Sequence, residues 1–163
     1  MNLDFLKRIR RTHALEHATI TIAQSRMDEQ GILGGNSTHW GFFVYGNVPT
    51  ELLSQAAEEA LNRLKSGEKH LAISPFCGTN LVVGAALAGL ACSWAMGSER
   101  RLSNIPRVIS YALGAILLSR PIGSLVQKHL TTDGYVGRLS IKDISHIGVG
   151  GVKVHRVRTS SGD

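Results

Sequence analysis

Residues 11–20 read Arg11-Thr12-His13-Ala14-Leu15-Glu16-His17-Ala18-Thr19-Ile20. Two histidines stand four apart, with a glutamate just before the second, an H-x-x-E-H pattern. On an α-helix, positions i, i+3 and i+4 share one face, so His13, Glu16 and His17 are expected to point into one small volume. Two imidazoles one turn apart suit a divalent metal, and the carboxylate beside them suits the proton of an activated water. The pattern is the inverted-zincin signature, and it is short enough to arise without a metal. The plain alternative is an amphipathic basic helix whose histidines are half-buried or cap a neighbouring segment.

Working outward, residues 4–25 read as one amphipathic helix. Leu6, Ile9, His13, Glu16, His17 and Ile20 form its stripe, while Lys7, Arg8 and Arg11 point elsewhere. Gly31, Gly34, Gly35 and Asn36 predict a loop. Thr38 to Gly46, aromatic and β-branched, predicts a strand that Asn47-Val48-Pro49 ends. Thr50 is the expected N-cap of a second amphipathic helix over about 51–65, which Gly67 stops. Glu58 and Glu59 on that helix read as a solvated acidic face in preference to ligands. An extended segment, Lys69 to Ser74, leads to Pro75-Phe76-Cys77-Gly78-Thr79-Asn80.

From Leu81 to Gly97 no residue is charged. Seventeen helical residues cover roughly 26 Å, a little less than a hydrocarbon core of about 30 Å. A second apolar run, about Ile105 to Val126, is broken by Arg120-Pro121. Gly84, Ala85, Ala88, Gly89 and Ala91 on the first run, and Ala112, Gly114 and Ala115 on the second, offer small faces for close helix packing. The two runs predict a transmembrane hairpin with a tight basic loop at Arg100-Arg101. The rival is a soluble protein with two buried core helices. After the hairpin, Arg138 to Ile144 and Gly151 to Arg158 read as strands joined by a turn at residues 148–151. They are the expected partners of the strand at 38–46, and residues 159–163 are expected to be a disordered tail.

The expected fold is therefore α+β, a small antiparallel sheet with two amphipathic helices plus a hydrophobic two-helix hairpin. It divides into an N-terminal part (1–80), the hairpin (81–127) and C-terminal strands (128–158) that complete the sheet. Net charge is +6 across 163 residues. That charge suits an anionic membrane surface better than nucleic acid, because no helix-turn-helix, zinc-finger or ribonucleoprotein signature accompanies it. Two cysteines make no disulfide framework. The charged N-terminus lacks an apolar signal core, so the polar part is expected on the cytoplasmic side. Basic residues at both ends of the hairpin leave the positive-inside rule without a preference.

Cys77 stands where an extended segment becomes an apolar helix. Thr79 or Asn80 is placed to cap that helix, whose first N–H groups form an electropositive site. A thiolate there, brought to His13 and His17, gives three ligands and one open position, as a catalytic metal requires. The same N–H groups, with Thr79, suit a developing oxyanion. The alternative is a capped helix with an inert buried thiol.

The segments R-T-H-A-L-E-H-A-T-I, W-G-F-F-V-Y-G-N-V-P-T-E and C-G-T-N-L-V resemble an uncharacterised bacterial family, domain of unknown function 6391, across nearly the whole chain. More remotely the chain is similar to a bacterial membrane family of predicted metal-dependent enzymes, domain of unknown function 1385. That family pairs H-x-x-E-H with a downstream H-P-x-C-G-T beside membrane helices. The resemblance implicates His13, Glu16, His17, Cys77 and Thr79. Here Ser74 replaces the histidine before the proline, so a ligand at that place is missing.

These readings lead to one expectation: a membrane-associated hydrolase of peptide-like bonds in the bacterial cell membrane. His13, His17 and Cys77 would hold zinc or another divalent transition metal, with Glu16 as general base and Thr79 at the oxyanion. Membrane lipid and a membrane-proximal peptide or protein are the expected partners. His39 and His70 are reserve ligands. The alternatives are a non-catalytic metalloprotein acting in assembly, and a metal-free membrane adaptor.

Overall fold

The structure, a computed structural model, describes residues 3–27, 32–97, 102–149 and 152–161. It is α+β, and it divides into two compact units: Met1–Ser74 with Lys128–Asp163, and Pro75–Gln127.

The first unit is a helical layer on an antiparallel sheet. It contains α1 (Leu3–Ser25), β1 (Gly34–Thr38), β2 (Gly41–Tyr45), α2 (Thr50–Lys65), a 3-10 turn (Lys69–Ala72), β3 (Leu139–Val149) and β4 (Val152–Ser161). The strand order is β1-β2-β4-β3, so the strand latest in sequence lies inside the sheet. Phe42 faces Val157 and Val44 faces His155 across the β2–β4 ladder, and all four are buried. Side chains alternate along a strand, so Ser37 and Gly35, opposite Phe42 and Val44, share that inner face. Against it α1 lays Ala14, Leu15, Ala18 and Ile22, and α2 lays Leu53, Ala56, Ala60 and Leu64. Alanines on both helices let α1 and α2 pack together while α1 covers β1 and β2 and α2 reaches β3. The buried stripe of α1 is thus centred on Ala14, Leu15 and Ala18, while Leu6, Ile9 and Ile20 are only half-buried.

Several local expectations are corrected. The glycine-rich 34–36 segment is the edge strand β1, and Thr38 to Gly46 is not one strand: Thr38 ends β1 and Gly41 opens β2. Gly41 begins β2 because a Cβ there would collide with the Val157 carbonyl. Thr50 lies inside α2, behind Pro49 at the N-cap position, and its hydroxyl bonds to His155. The expected extended run at 69–74 begins as a 3-10 turn. Thr159 to Ser161, expected as tail, continue β4 opposite Leu139 to Ile141. The hairpin turn at 148–151 includes Gly150 and Gly151, which lie outside the described residues.

The second unit is a helical hairpin, α3 (Gly78–Met96) and α4 (Ile105–Val126), with a 3-10 turn at Leu102–Asn104. The helices are antiparallel: Asn80 near the start of α3 accepts from Gln127 just past α4 (2.8 Å), and Trp94 meets Tyr111 at the other end. Small residues permit the contact. A Cβ on Gly84 would stand 3.2 Å from Ser119 Cβ, and one on Gly123 would overlap the Asn80 amide. Arg120-Pro121 do not break α4, which runs through Pro121 to Val126. The expected basic loop at Arg100-Arg101 lies outside the described residues. Leu81, Leu90, Trp94 and Leu117 are each more than 70% exposed. Both helices are long and apolar enough to cross a membrane, and most of their residues are not buried, unlike the core helices of a soluble protein.

Candidate metal centre

His13 and His17 lie on α1 with ring centroids 4.3 Å apart, edge to face. A ring nitrogen of one lies within 4.8 Å of a ring nitrogen of the other. Each ring is held by a backbone carbonyl from a distant segment: His17 Nδ1 donates to Ala72 O (2.7 Å) and His13 Nδ1 to Thr131 O (3.0 Å). A carbonyl oxygen only accepts, so both rings carry their proton on Nδ1 in these bonds and their lone pair on Nε2. That is how metal-binding histidines are usually oriented. Glu16 is 4% exposed, and the Ser37 hydroxyl donates to its carboxylate. Gly35 leaves the room: a Cβ there would strike the Glu16 carboxyl group and Ile20. Burial pushes the Glu16 carboxyl up from its ordinary range, against the opposing effects of the Ser37 hydrogen bond and the nearby His13. The face carrying His13, Glu16 and His17 is the one the spacing predicted.

The second unit places the other expected residues around the start of α3. Cys77 is itself the N-cap, its Sγ accepting the Thr79 N–H at 3.4 Å. Neither Thr79 nor Asn80 is the cap, and the Thr79 amide expected at an oxyanion is engaged by that sulfur. Asn80 instead donates to the Pro75 carbonyl (2.9 Å) and accepts from Gln127. Of the reserve ligands, His39 is exposed in the β1–β2 turn against Phe5, and His70 is exposed in the 3-10 turn. Glu59 pairs with Arg26 and with Arg63, while Glu58 is exposed, so the acidic face of α2 is the solvated one expected.

Three contributors escaped the sequence reading. Ser37 is recognisable only once β1 is paired with β2, and the Ala72 and Thr131 carbonyls have no side-chain signature. A second histidine pair was also missed. His155 is fully buried, with Nε2 3.0 Å from Thr50 Oγ1, its ring packed on His146 and its Nδ1 without a hydrogen-bond partner among the described residues. Desolvation first, then the charges of His146 and Lys153, hold its pKa below the ordinary histidine value.

Residues 8–144 match the family described as Domain of unknown function (DUF6391), which covers α1 from Arg8 onward, β1, β2, α2, the helical hairpin and the first half of β3. The chain belongs to this family. A relative from Picosynechococcus sp. (strain ATCC 27264 / PCC 7002 / PR-6), described as an uncharacterized protein, is 35% identical. The match covers 76% of this chain and 65% of that relative, so the chain spans a little under two thirds of its relative's length. No solved structure matches.

Proposed function

We propose that this family member is a membrane-associated, metal-dependent hydrolase acting on peptide-like bonds near the bilayer. The observation that carries the reading is the paired histidines, each donating Nδ1–H to a backbone carbonyl beside a buried carboxylate. In this reading His13 and His17 bind zinc, or another divalent transition metal, through Nε2. Cys77 is the third ligand. Support for it comes from the soft thiolate's preference for zinc and from the tether: Ala72, which His17 holds, precedes Cys77 by five residues, at most about 17 Å of chain. A bound metal would polarise a water and a carbonyl group. Glu16 takes the proton from the attacking nucleophile. Its burial supports that role, because a carboxylate stripped of solvent binds a proton more readily. Ser37 orients the carboxylate. The Thr79 hydroxyl remains the candidate for the substrate's oxygen. The two apolar helices favour the bacterial cell membrane, with the polar unit proposed on the cytoplasmic side and lipid as a partner.

Metal analysis of the purified protein tests this directly. About one ion per chain is expected, lost in His13→Ala/His17→Ala and retained in Glu16→Gln. Cobalt substitution should give a thiolate-to-metal charge-transfer band that disappears in Cys77→Ser. Wild-type protein with no metal after growth in zinc would overturn the centre, and a cobalt spectrum unchanged by Cys77→Ser would remove the thiol. With a peptide substrate in hand, Glu16→Gln should lose turnover by at least a hundredfold.

One observation favours a second reading. The histidines tie α1 to two separate segments, at Ala72 and Thr131, as struts would. A structural metal in an assembly factor would use the same residues, with chelation unfolding the protein and Glu16→Gln leaving its biological role intact.

A further inference from the structure

On the first unit, a cavity of about 460 Å³ is lined by Arg10, Lys69, His70, Lys128 and Tyr135, among others. That volume lies within the usual range of small-ligand sites, about 300–1,000 Å³. Its electrostatics are one-sided. The carboxylate in the lining, Asp133, is already engaged, 3.6 Å from Arg11 Nε and accepting the Tyr135 N–H at 3.0 Å. Arg10 is fixed by donating to the His129 and Thr132 carbonyls (3.1 and 3.0 Å). Its Nε is shielded from solvent and has no hydrogen-bond partner among the described residues. Lys69 and Lys128 are exposed and form no ion pair among the described residues. His70 feels Glu68, but that carboxylate is bound by Arg63 through two guanidinium nitrogens. The turn at Gly134 comes so close to Lys69 that a Cβ on this glycine would meet the lysine stem at 3.0 Å. The site therefore gathers the cations Arg10, Lys69 and Lys128 around one cavity whose carboxylate is spoken for. Such a donor set is complementary to a phosphate oxyanion.

We propose that this cavity binds a phosphate-bearing anion, and that its source is the headgroup of an anionic membrane lipid. The chain itself favours lipid over soluble phosphate. Lys128 stands two residues beyond α4, and Lys69 nine residues before α3, so the two pocket lysines flank the apolar hairpin in sequence. Lysines at such positions are attracted to anionic headgroups. The proposal rests on the reading of those helices as membrane-spanning and is independent of the metal centre.

The test uses the full chain, delipidated in neutral detergent, with phosphatidylglycerol, phosphatidylcholine and inorganic phosphate as probes in native mass spectrometry and calorimetry. Phosphatidylglycerol should bind at one site, more tightly than phosphatidylcholine. Lys69→Gln/Lys128→Gln should weaken it about twenty-five-fold, at roughly fivefold per lysine. The control Lys142→Gln/Lys153→Gln removes two exposed charges from β3 and β4 and should leave affinity unchanged. Both pairs of changes are at exposed positions, and an unchanged circular dichroism spectrum and melting temperature certify the fold. Equal losses in the control would overturn the site in favour of diffuse charge attraction. Inorganic phosphate binding as tightly as the lipid would overturn the lipid assignment. Full affinity in Lys69→Gln/Lys128→Gln would overturn the cavity altogether.

Discussion

At the scale of single residues, two buried titratable groups have opposite consequences. Glu16 is held above its ordinary range by burial, so its ionised form is disfavoured in the folded state. Its contribution to stability is fully present below the usual value of 4.5 and is lost as pH rises through the higher folded-state value. Glu16→Gln removes that charge while keeping an acceptor for Ser37. The metal-free variant should therefore melt higher than metal-free wild type at pH 7.5, with the gap closing as pH falls towards 4.5. Differential scanning fluorimetry after chelation measures it, and a lower melting temperature at pH 7.5 would contradict the burial argument. A variant found to be both more stable and inactive would mark Glu16 as a group retained for chemistry. His155 titrates the other way round its normal value. Its folded pKa is depressed, so its contribution is fully present above about 6.5 and is lost as pH falls below that towards the folded value. Between pH 7.5 and 5.5 wild type should lose more thermal stability than His155→Gln. An NMR titration of the His155 ring gives the same answer without a variant.

At the scale of elements, the hairpin and the sheet differ in how legible they were. α1, α2 and the two apolar helices could be read because each advertises a period or an uncharged run in its own residues. β1 could not, because Gly34-Gly35-Asn36 has no strand preference and is extended only by pairing with Phe43, Val44 and Tyr45. Thr50 misled for a similar reason. A hydroxyl at a helix start normally caps it, yet here the buried His155, over a hundred positions away, takes the hydroxyl. Pro121 misled because a proline lowers the helical signal of its own run, while α4 continues through it. The metal-ligand candidates on α1 were legible through their spacing, but the carbonyls that orient them belong to segments 55 and 118 residues away. Within the hairpin, glycines of the same composition have unequal roles. Gly123 lies against the Asn80 amide, whereas nothing stands within 4 Å of a Cβ at Gly89 or Gly114. Gly123→Ala should destabilise the hairpin by about 1–3 kcal/mol. Gly89→Ala and Gly114→Ala should be neutral or stabilising by up to about 1 kcal/mol. Unfolding in mixed micelles would measure all three, and equal effects would refute the packing assigned to Gly123.

At the scale of the whole molecule, the polar unit is made from both sides of the chain, with the hairpin as an insertion between Ser74 and Lys128. Ile73 and Lys128 line the same cavity, so the two points at which the chain leaves and re-enters this unit lie close together. His17 fixes the outgoing segment at Ala72, and His13 fixes the returning one at Thr131. Replacing residues 75–127 by a short Gly-Ser linker should therefore leave a folded α+β unit that is monodisperse without detergent. Size-exclusion chromatography and circular dichroism would check this. Persistent aggregation would mean that the insertion is needed to form the unit. The fold class and the hairpin followed from local sequence signals, whereas the internal position of β4 did not, since nothing in its own residues says which strands it separates.

That internal position sets a timetable for biogenesis. β2 reaches β3 only through β4, so the layer beneath α1 stays incomplete until residues 152–161 have left the ribosome. By then the whole of residues 75–127 has already been synthesised. At roughly 5–20 residues per second, the intervening stretch takes a few seconds to emerge. Under the membrane reading proposed above, insertion machinery would meet the greasy segment while its flanking domain is still open, and delivery to a bilayer would have no finished globule to wait for or to unfold.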